Sequence, residues 1–212
     1  MINFRKYNTM TKCIIPDSVT LTNTVFYGAF NNMRNLKSVK IPNKVTSMHD
    51  IYKNCINLTS APACGENVIS MTNAYLNCSN ITGSPVCGNN VVDMVNTYKN
   101  CTNLTGSPVC GDNVTNMYGA YWICNNITGS PACGKNVVNM AYPYIVCSNL
   151  TGSPVCGDNV TDMQYTYDSC LNLTGSPVCG KNVINMSYVY HGCTNLTGSP
   201  VCGEKVNSMS NA

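Results

Sequence analysis

Cys101-Thr-Asn-Leu-Thr-Gly-Ser-Pro-Val-Cys110-Gly-Asp-Asn-Val-Thr-Asn116, followed by Met117 and Tyr121, returns every 23 residues along this chain. The first Cys of the motif stands at Cys55, Cys78, Cys101, Cys124, Cys147, Cys170 and Cys193, and the second at Cys64, Cys87, Cys110, Cys133, Cys156, Cys179 and Cys202. Only Cys13 lies outside the two series. A fixed period in the twenties is the signature of a solenoid, in which no single coil can bury its apolar face and stacking does so for all of them.

Working outward, residues 55–212 hold seven regular repeats, the last truncated, residues 13–54 hold two degenerate ones, and residues 1–12 read as an N-terminal cap. Leu104, Val109, Val114, Met117 and Tyr121, with their equivalents, supply the apolar positions of each coil. Leu and Ile exchange freely at the first (Leu58, Ile81, Leu104, Ile127), as packing sites tolerate. Gly111, beside Asp112 and Asn113, reads as a tight corner with positive φ. Pro108 and its copies lack the backbone donor that a central strand needs. Strands are therefore expected to be very short, around Asn-Leu-Thr and Val-Cys, with coils ~4.8 Å apart where they pair. The Met-to-Cys segment shows no alternation and includes Pro143, which predicts a short helical or 3-10 turn.

The Ile-Pro-x-x-Val-Thr piece at Ile15 and the Gly28-Ala29-Phe30 piece carry a family resemblance. So does Asn113-Val114-Thr115-Asn116-Met117, with an aromatic four residues on and a Cys three beyond it. Together they resemble the BspA-like leucine-rich repeats, over nearly the whole chain from Cys13 onward. The resemblance implies a right-handed, leucine-rich-repeat-like stack with short parallel strands on one side and turns on the other. It also implies a non-enzymatic role in adhesion or protein contact. The chain departs from the family by placing Gly-Ser-Pro where an apolar strand is usual.

Each position of a register-locked stack becomes a column. The Asn column through Asn103 is expected to form an amide ladder with its neighbours. Its Asn-x-Thr context also matches a glycosylation acceptor. Met1 to Ile15 lacks the apolar run of a secretory signal, which points away from glycosylation and toward a cytoplasmic or virion-associated protein, or a surface protein if the chain belongs to a longer exported one. The Cys columns, including Cys101 and Cys110, read as reduced thiols packed as small apolar groups, because their spacing matches no zinc box. No cofactor or metal is expected. The column Glu66, Asn89, Asp112, Lys135, Asp158, Lys181, Glu204 alternates in sign from Asp112 onward, which favours register.

Residues 1–54 carry eight basic and two acidic side chains, and residues 55–212 four and seven, within a net charge of +3. The basic groups are dispersed with few aromatics among them, unlike a nucleic-acid surface. No segment approaches the ~20 apolar residues of a membrane span. Only His49 and His191 are present, and neither belongs to a nucleophile–base arrangement.

Recognition falls on the columns that vary. Tyr118, Trp122, Tyr142, Tyr165 and Tyr188 concentrate aromatic rings with polar tips on changeable positions, the side chains of contact surfaces. Two readings follow. The first is a structural and protein-interaction rod, which binds a partner or self-associates through the last coil, where the sequence stops before its Tyr. The second is an adhesion or carbohydrate-binding module in which the same rings take a glycan.

Overall fold

The computed structural model describes residues 3–20 and 24–212. Positions 1–2 of the expected cap and 21–23 of the first degenerate repeat lie outside the described residues. The chain is a repeat solenoid. One position per coil, the residue before Met (before Phe26 in the first), bridges in parallel to its counterpart in the next: Val25, Ser47, Ser70, Asp93, Asn116, Asn139, Asp162, Asn185 and Ser208. The named strands lie on a different stretch of the first coils, just after Asn35-Leu36-Lys37: β1 (Lys12–Ile14) and β2 (Ser38–Lys40) pair in parallel with Cys13 opposite Val39.

Sequence reasoning missed the ladder through Asn116. Of the two expected sites, the Asn-Leu-Thr side carries β1 and β2 in the first coils, a bridge from Ser60 to Thr82, and N–H bonds from Thr82, Thr105, Thr128, Thr151 and Thr174 to the preceding coil at 2.9–3.1 Å, while Val-Cys contributes Val155–Val178–Val201. The continuous ladder runs through Asn116 because the backbone there keeps its donors, whereas the Pro column interrupts them.

From Met117 to Cys124 the bonding alternates. The N–H groups of Met117, Gly119, Tyr121 and Ile123 donate to the carbonyls of Asn139, Ala141, Pro143 and Ile145 in the next coil at 2.8–3.1 Å. Those of Ala120, Trp122 and Cys124 donate three residues back within the coil, to Met117, Gly119 and Tyr121. Positive φ at Gly119 (62°) and Ile123 (61°) gives the turns closed by Ala120 and Cys124 the left-handed third residue that a type II turn requires. The turns expected for this segment are thus three overlapping i+3→i turns rather than a run of helix. Among the described residues the one 3-10 helix is Arg5–Tyr7. Pro143 is tolerated because it occupies a position whose N–H would serve only its own coil; its carbonyl still accepts from Tyr121.

The core is a set of columns. Cys101, Leu104, Val114, Met117 and Tyr121 are fully buried, as are most of their counterparts. The Tyr column stacks from Tyr52 to Tyr190 with centroids 5.0–5.8 Å apart, in the offset range favoured by aromatic pairs. It continues through Phe30 to Phe4, which lies face to face with Phe30 at 4.8 Å and covers the first layer.

Val109 is a correction. It is half-buried, and its counterparts Val155 and Val178 are exposed, while Pro108 is buried in its place. The Tyr121 hydroxyl explains this: it donates to the Val109 carbonyl at 2.7 Å and accepts from the Val109 N–H at 3.1 Å. With its main chain turned inward, Val109 directs its side chain out, and the Pro108 ring fills the core. Gly111 is a second correction. Its φ is not positive; the left-handed glycines are those of the Gly106 column. What Gly111 requires is space, since a Cβ there would lie 3.2 Å from the Gly88 carbonyl oxygen and 3.3 Å from Cys87 Sγ.

Candidate functional site: an aromatic strip on the turn face

The turns that carry the strip are set by two left-handed columns. The first runs Asn32, Asn54, Asn77, Asn100, Ile123, Val146, Ser169 and Gly192. Its Asn members form an amide ladder, Asn54 to Asn32 at 2.8 Å, then Asn77 to Asn54 and Asn100 to Asn77 at 2.7 Å. The ladder stops at Asn100. The second column holds Gly28, Asp50, Asn73, Asn96 and Gly119, then Tyr142, Tyr165 and Tyr188 at φ 64°, 52° and 56°. Gly, Asn and Asp are the residues that enter this region readily; three tyrosines in succession are not.

All five aromatic residues singled out in the sequence come together here, each half-buried. Tyr142 and Tyr165 stack at 5.2 Å, and Tyr165 and Tyr188 at 4.5 Å and 3°. Tyr118 leans on Tyr142 at 5.1 Å, and Trp122 on Tyr142 at 5.9 Å. His191 meets Tyr188 edge-on at 5.8 Å, and the Lys99 ammonium sits 3.4 Å from the Trp122 ring centroid. The ring faces of the tyrosines are therefore largely covered by one another, and their edges are what the strip offers.

The strip's own polar groups engage one another: the Tyr142 hydroxyl donates to Gln164 Oε1 at 3.2 Å. Partial burial, then Tyr118, Tyr165 and Asp162, raise the pKa of Tyr142. Desolvation, then Tyr188 and Asp168, raise that of Tyr165. Burial lowers that of Lys99. Sequence reasoning placed Lys99 in the same variable column as Trp122 without giving it a role, and missed the left-handed backbone; the replacement of Asn96 and Gly119 by tyrosines at equivalent positions was the available signal.

The remaining sequence candidates are placed as follows. Asn103 is exposed, and its amide reaches Asn80 Oδ1 at 3.4 Å, whereas Asn126 turns to the Thr102 carbonyl at 2.9 Å, so that column is a mixed ladder. A more regular Asn column went unnoticed: Asn67, Asn90, Asn113, Asn136, Asn159 and Asn182 each donate to a carbonyl of the preceding coil at 2.8–3.0 Å. With Thr46, Ile69, Val92 and Thr115, the first three line a shallow groove of about 570 Å³.

All fifteen cysteines are free thiols. Cys101 donates to the Tyr75 carbonyl at 3.1 Å, and the same bond recurs down its column, while half-buried Cys110 lies against Gly111. Burial pushes the thiols of Cys55, Cys110 and Cys156 up to about 12. His191 bonds Asp168 at 2.9 Å, and the neighbouring Cys193 thiol is directed to the Tyr167 carbonyl, so the two do not form a thiol–imidazole pair. Among the described residues no group of three or more His, Cys, Asp or Glu side chains is placed to hold a metal, and no helix is long and apolar enough to cross a membrane. In the alternating column, Lys135 pairs with Asp112 at 3.3 Å and Lys181 with Asp158 at 3.2 Å, all well exposed.

The geometry defines a class, a repeat solenoid with an aromatic strip on its turn face. Two solved structures are similar in architecture. One is a leucine-rich repeat protein from Bacteroides ovatus ATCC 8483, 15% identical, with a TM-score of 0.45, over 94% of this chain and 71% of that one. The other is a leucine-rich cell surface protein from Faecalibacterium prausnitzii A2-165, 13% identical, with a TM-score of 0.46, over 92% of this chain and 89% of that one. A Kazal-type serine protease inhibitor domain model matches residues 96–118, the length of a single repeat, whose Cys101 and Cys110 are free thiols here. No curated protein matches the sequence.

Proposed function

We propose that this chain is a non-enzymatic interaction module that presents the strip of Trp122, Tyr142, Tyr165 and Tyr188 to a protein partner. The observation that carries the reading is the backbone under the tyrosines. Three successive coils place Tyr in left-handed conformations that six other coils give to Gly, Asn or Asp (Gly28, Asp50, Asn73, Asn96, Gly119 and Asn211). A left-handed non-glycine residue is disfavoured by roughly 1–2 kcal/mol, and such conformations concentrate at functional sites. Packing alone does not require these rings, since the preceding coils stack without them.

Glycan adhesion has less support. A sugar ring stacks on an open aromatic face, and here the faces of Tyr142, Tyr165 and Tyr188 cover one another. The test is capture from the native source by the intact chain and by a variant with Ala at Trp122, Tyr142, Tyr165 and Tyr188. A specific protein held by the first and lost by the second is expected; capture that survives all four changes overturns the reading.

A further inference from the structure

We infer that Cys64 and Cys87, backed by the Met94 thioether, bind a soft monovalent cation, Cu(I). The stack separates two cysteine columns that spacing in the sequence treats alike. In the fully buried column the thiol is engaged as a donor: Cys78 reaches the Tyr52 carbonyl at 3.0 Å, and Cys101 that of Tyr75 at 3.1 Å. In the half-buried column the acceptors are distant, with Cys64 3.8 Å from the Gly65 carbonyl oxygen and Cys87 3.6 Å from that of Gly88. Losing the proton there forfeits little hydrogen bonding.

Three observations select the site and its occupant. The first is access. Cys64, Glu66, Cys87, Gly88, Asn89 and Asn90 line an open cavity of about 350 Å³, so solvent reaches both cysteines.

The second is the donor set. Cys64 Sγ lies against Gly88, the neighbour of Cys87, since a Cβ on that glycine would be 2.9 Å from it. The two thiols are one coil apart. Two metal–sulfur bonds of ~2.3 Å, the zinc–thiolate length, span about the ~4.8 Å between paired coils. Cys87 Sγ also meets Met94 Sδ at 3.7 Å. Thiolate and thioether are soft donors, the kind that Cu(I) takes. A structural zinc needs four ligands, and among the described residues no three His, Cys, Asp or Glu side chains converge to hold one.

The third is electrostatics. Glu66 places an exposed carboxylate at this cavity, whereas the cavity at Cys202 is lined by Lys181, Lys205 and Glu204, a net positive set. Burial raises the Cys64 thiol to about 11 and raises that of Cys87, and the Gly88 and Gly111 N–H groups oppose the rise. At the same position of a later coil, the Gly157 N–H donates to Cys133 Sγ at 3.4 Å. Such donors remain in place to hold a metal-bound sulfur. Binding breaks two S–H bonds, forms two Cu–S bonds and sends both protons to solvent, with no change of oxidation state. The bound ion offsets the charge that burial disfavours on a free thiolate.

The experiment titrates the reduced full chain anaerobically with Cu(I) against a chromophoric Cu(I) chelator, then alkylates the folded protein and maps the modified cysteines by mass spectrometry. One equivalent held against the chelator is expected, with two protons released and alkylation newly blocked at Cys64 and Cys87. Cys64→Ser and Cys87→Ser should each abolish that first equivalent, and Met94→Leu should weaken it about tenfold. Zinc ion should neither release protons nor block alkylation. Copper lost wholly to the chelator, first-equivalent protection at other cysteines, or equal protection by zinc overturns the inference. The mapping uses the unaltered chain, so its outcome does not depend on the variants folding.

Discussion

The Tyr121 hydroxyl holds both main-chain groups of Val109, 2.7 Å from its carbonyl oxygen and 3.1 Å from its nitrogen. The same pairing recurs between Tyr98 and Val86 and between Tyr144 and Ala132. The buried phenol does there what a strand neighbour would do in a sheet. Tyr121→Phe keeps the ring stack but leaves these groups unpaired, which costs about 1–3 kcal/mol. Denaturant unfolding should show the loss, and an unchanged midpoint would count against this role for the hydroxyl.

Glycines of the two columns differ in what they tolerate. Gly106 has φ of +79°, and a Cβ there would run into Ser84 Oγ, whereas Gly111 has ordinary φ and would meet its neighbours at 3.2 Å or more. Gly106→Ala is therefore expected to destabilise by about 1–2 kcal/mol or more, and Gly111→Ala by less. Thermal unfolding of the two variants should rank them in that order.

Ile123 is a β-branched residue at φ 61°, directly after the amide ladder ends at Asn100. Ile123→Asn supplies a residue that accepts this conformation and extends the ladder onto Asn100 Oδ1. A gain of about 1 kcal/mol is expected. A lower melting temperature would show that the Ile side chain contributes more by packing than its backbone loses.

Alkaline solution should unfold the chain. Burial raises the Cys55, Cys110 and Cys156 thiols from an ordinary 9.0 to about 12, so the folded state keeps protons that the unfolded state releases. Their stabilising contribution is complete below pH 9 and is lost as pH rises toward 12. The slope is at most about 1.4 kcal/mol per pH unit for each thiol. Urea midpoints measured from pH 8 to 11 check the sign, and Cys110→Ala should flatten the curve.

The strip was legible only in part. The five aromatic residues stood out because they occupy columns where other coils carry small or polar groups. Nothing in their spacing showed that Tyr142, Tyr165 and Tyr188 sit in left-handed backbone, because φ there is set by tight turns whose alternate N–H groups bond the next coil. Lys99 stood in the same variable column as Trp122, one coil before it, but only the stack showed its ammonium lying over the Trp122 ring.

What the sequence determined by itself is the period, and with it the columns. Identical residues 23 apart must lie above one another once coils stack, so the buried positions of Cys101, Leu104, Val114, Met117 and Tyr121 could be read directly. Only the tertiary structure decided which side of the backbone a residue faces and where the coils pair. Val109 turned outward because its main chain bonds Tyr121, and the bridge ladder settled at Asn116 because the Pro108 column interrupts its own stretch. Those outcomes depend on donors and acceptors that meet across the stack, and a periodic pattern of side chains carries no record of them.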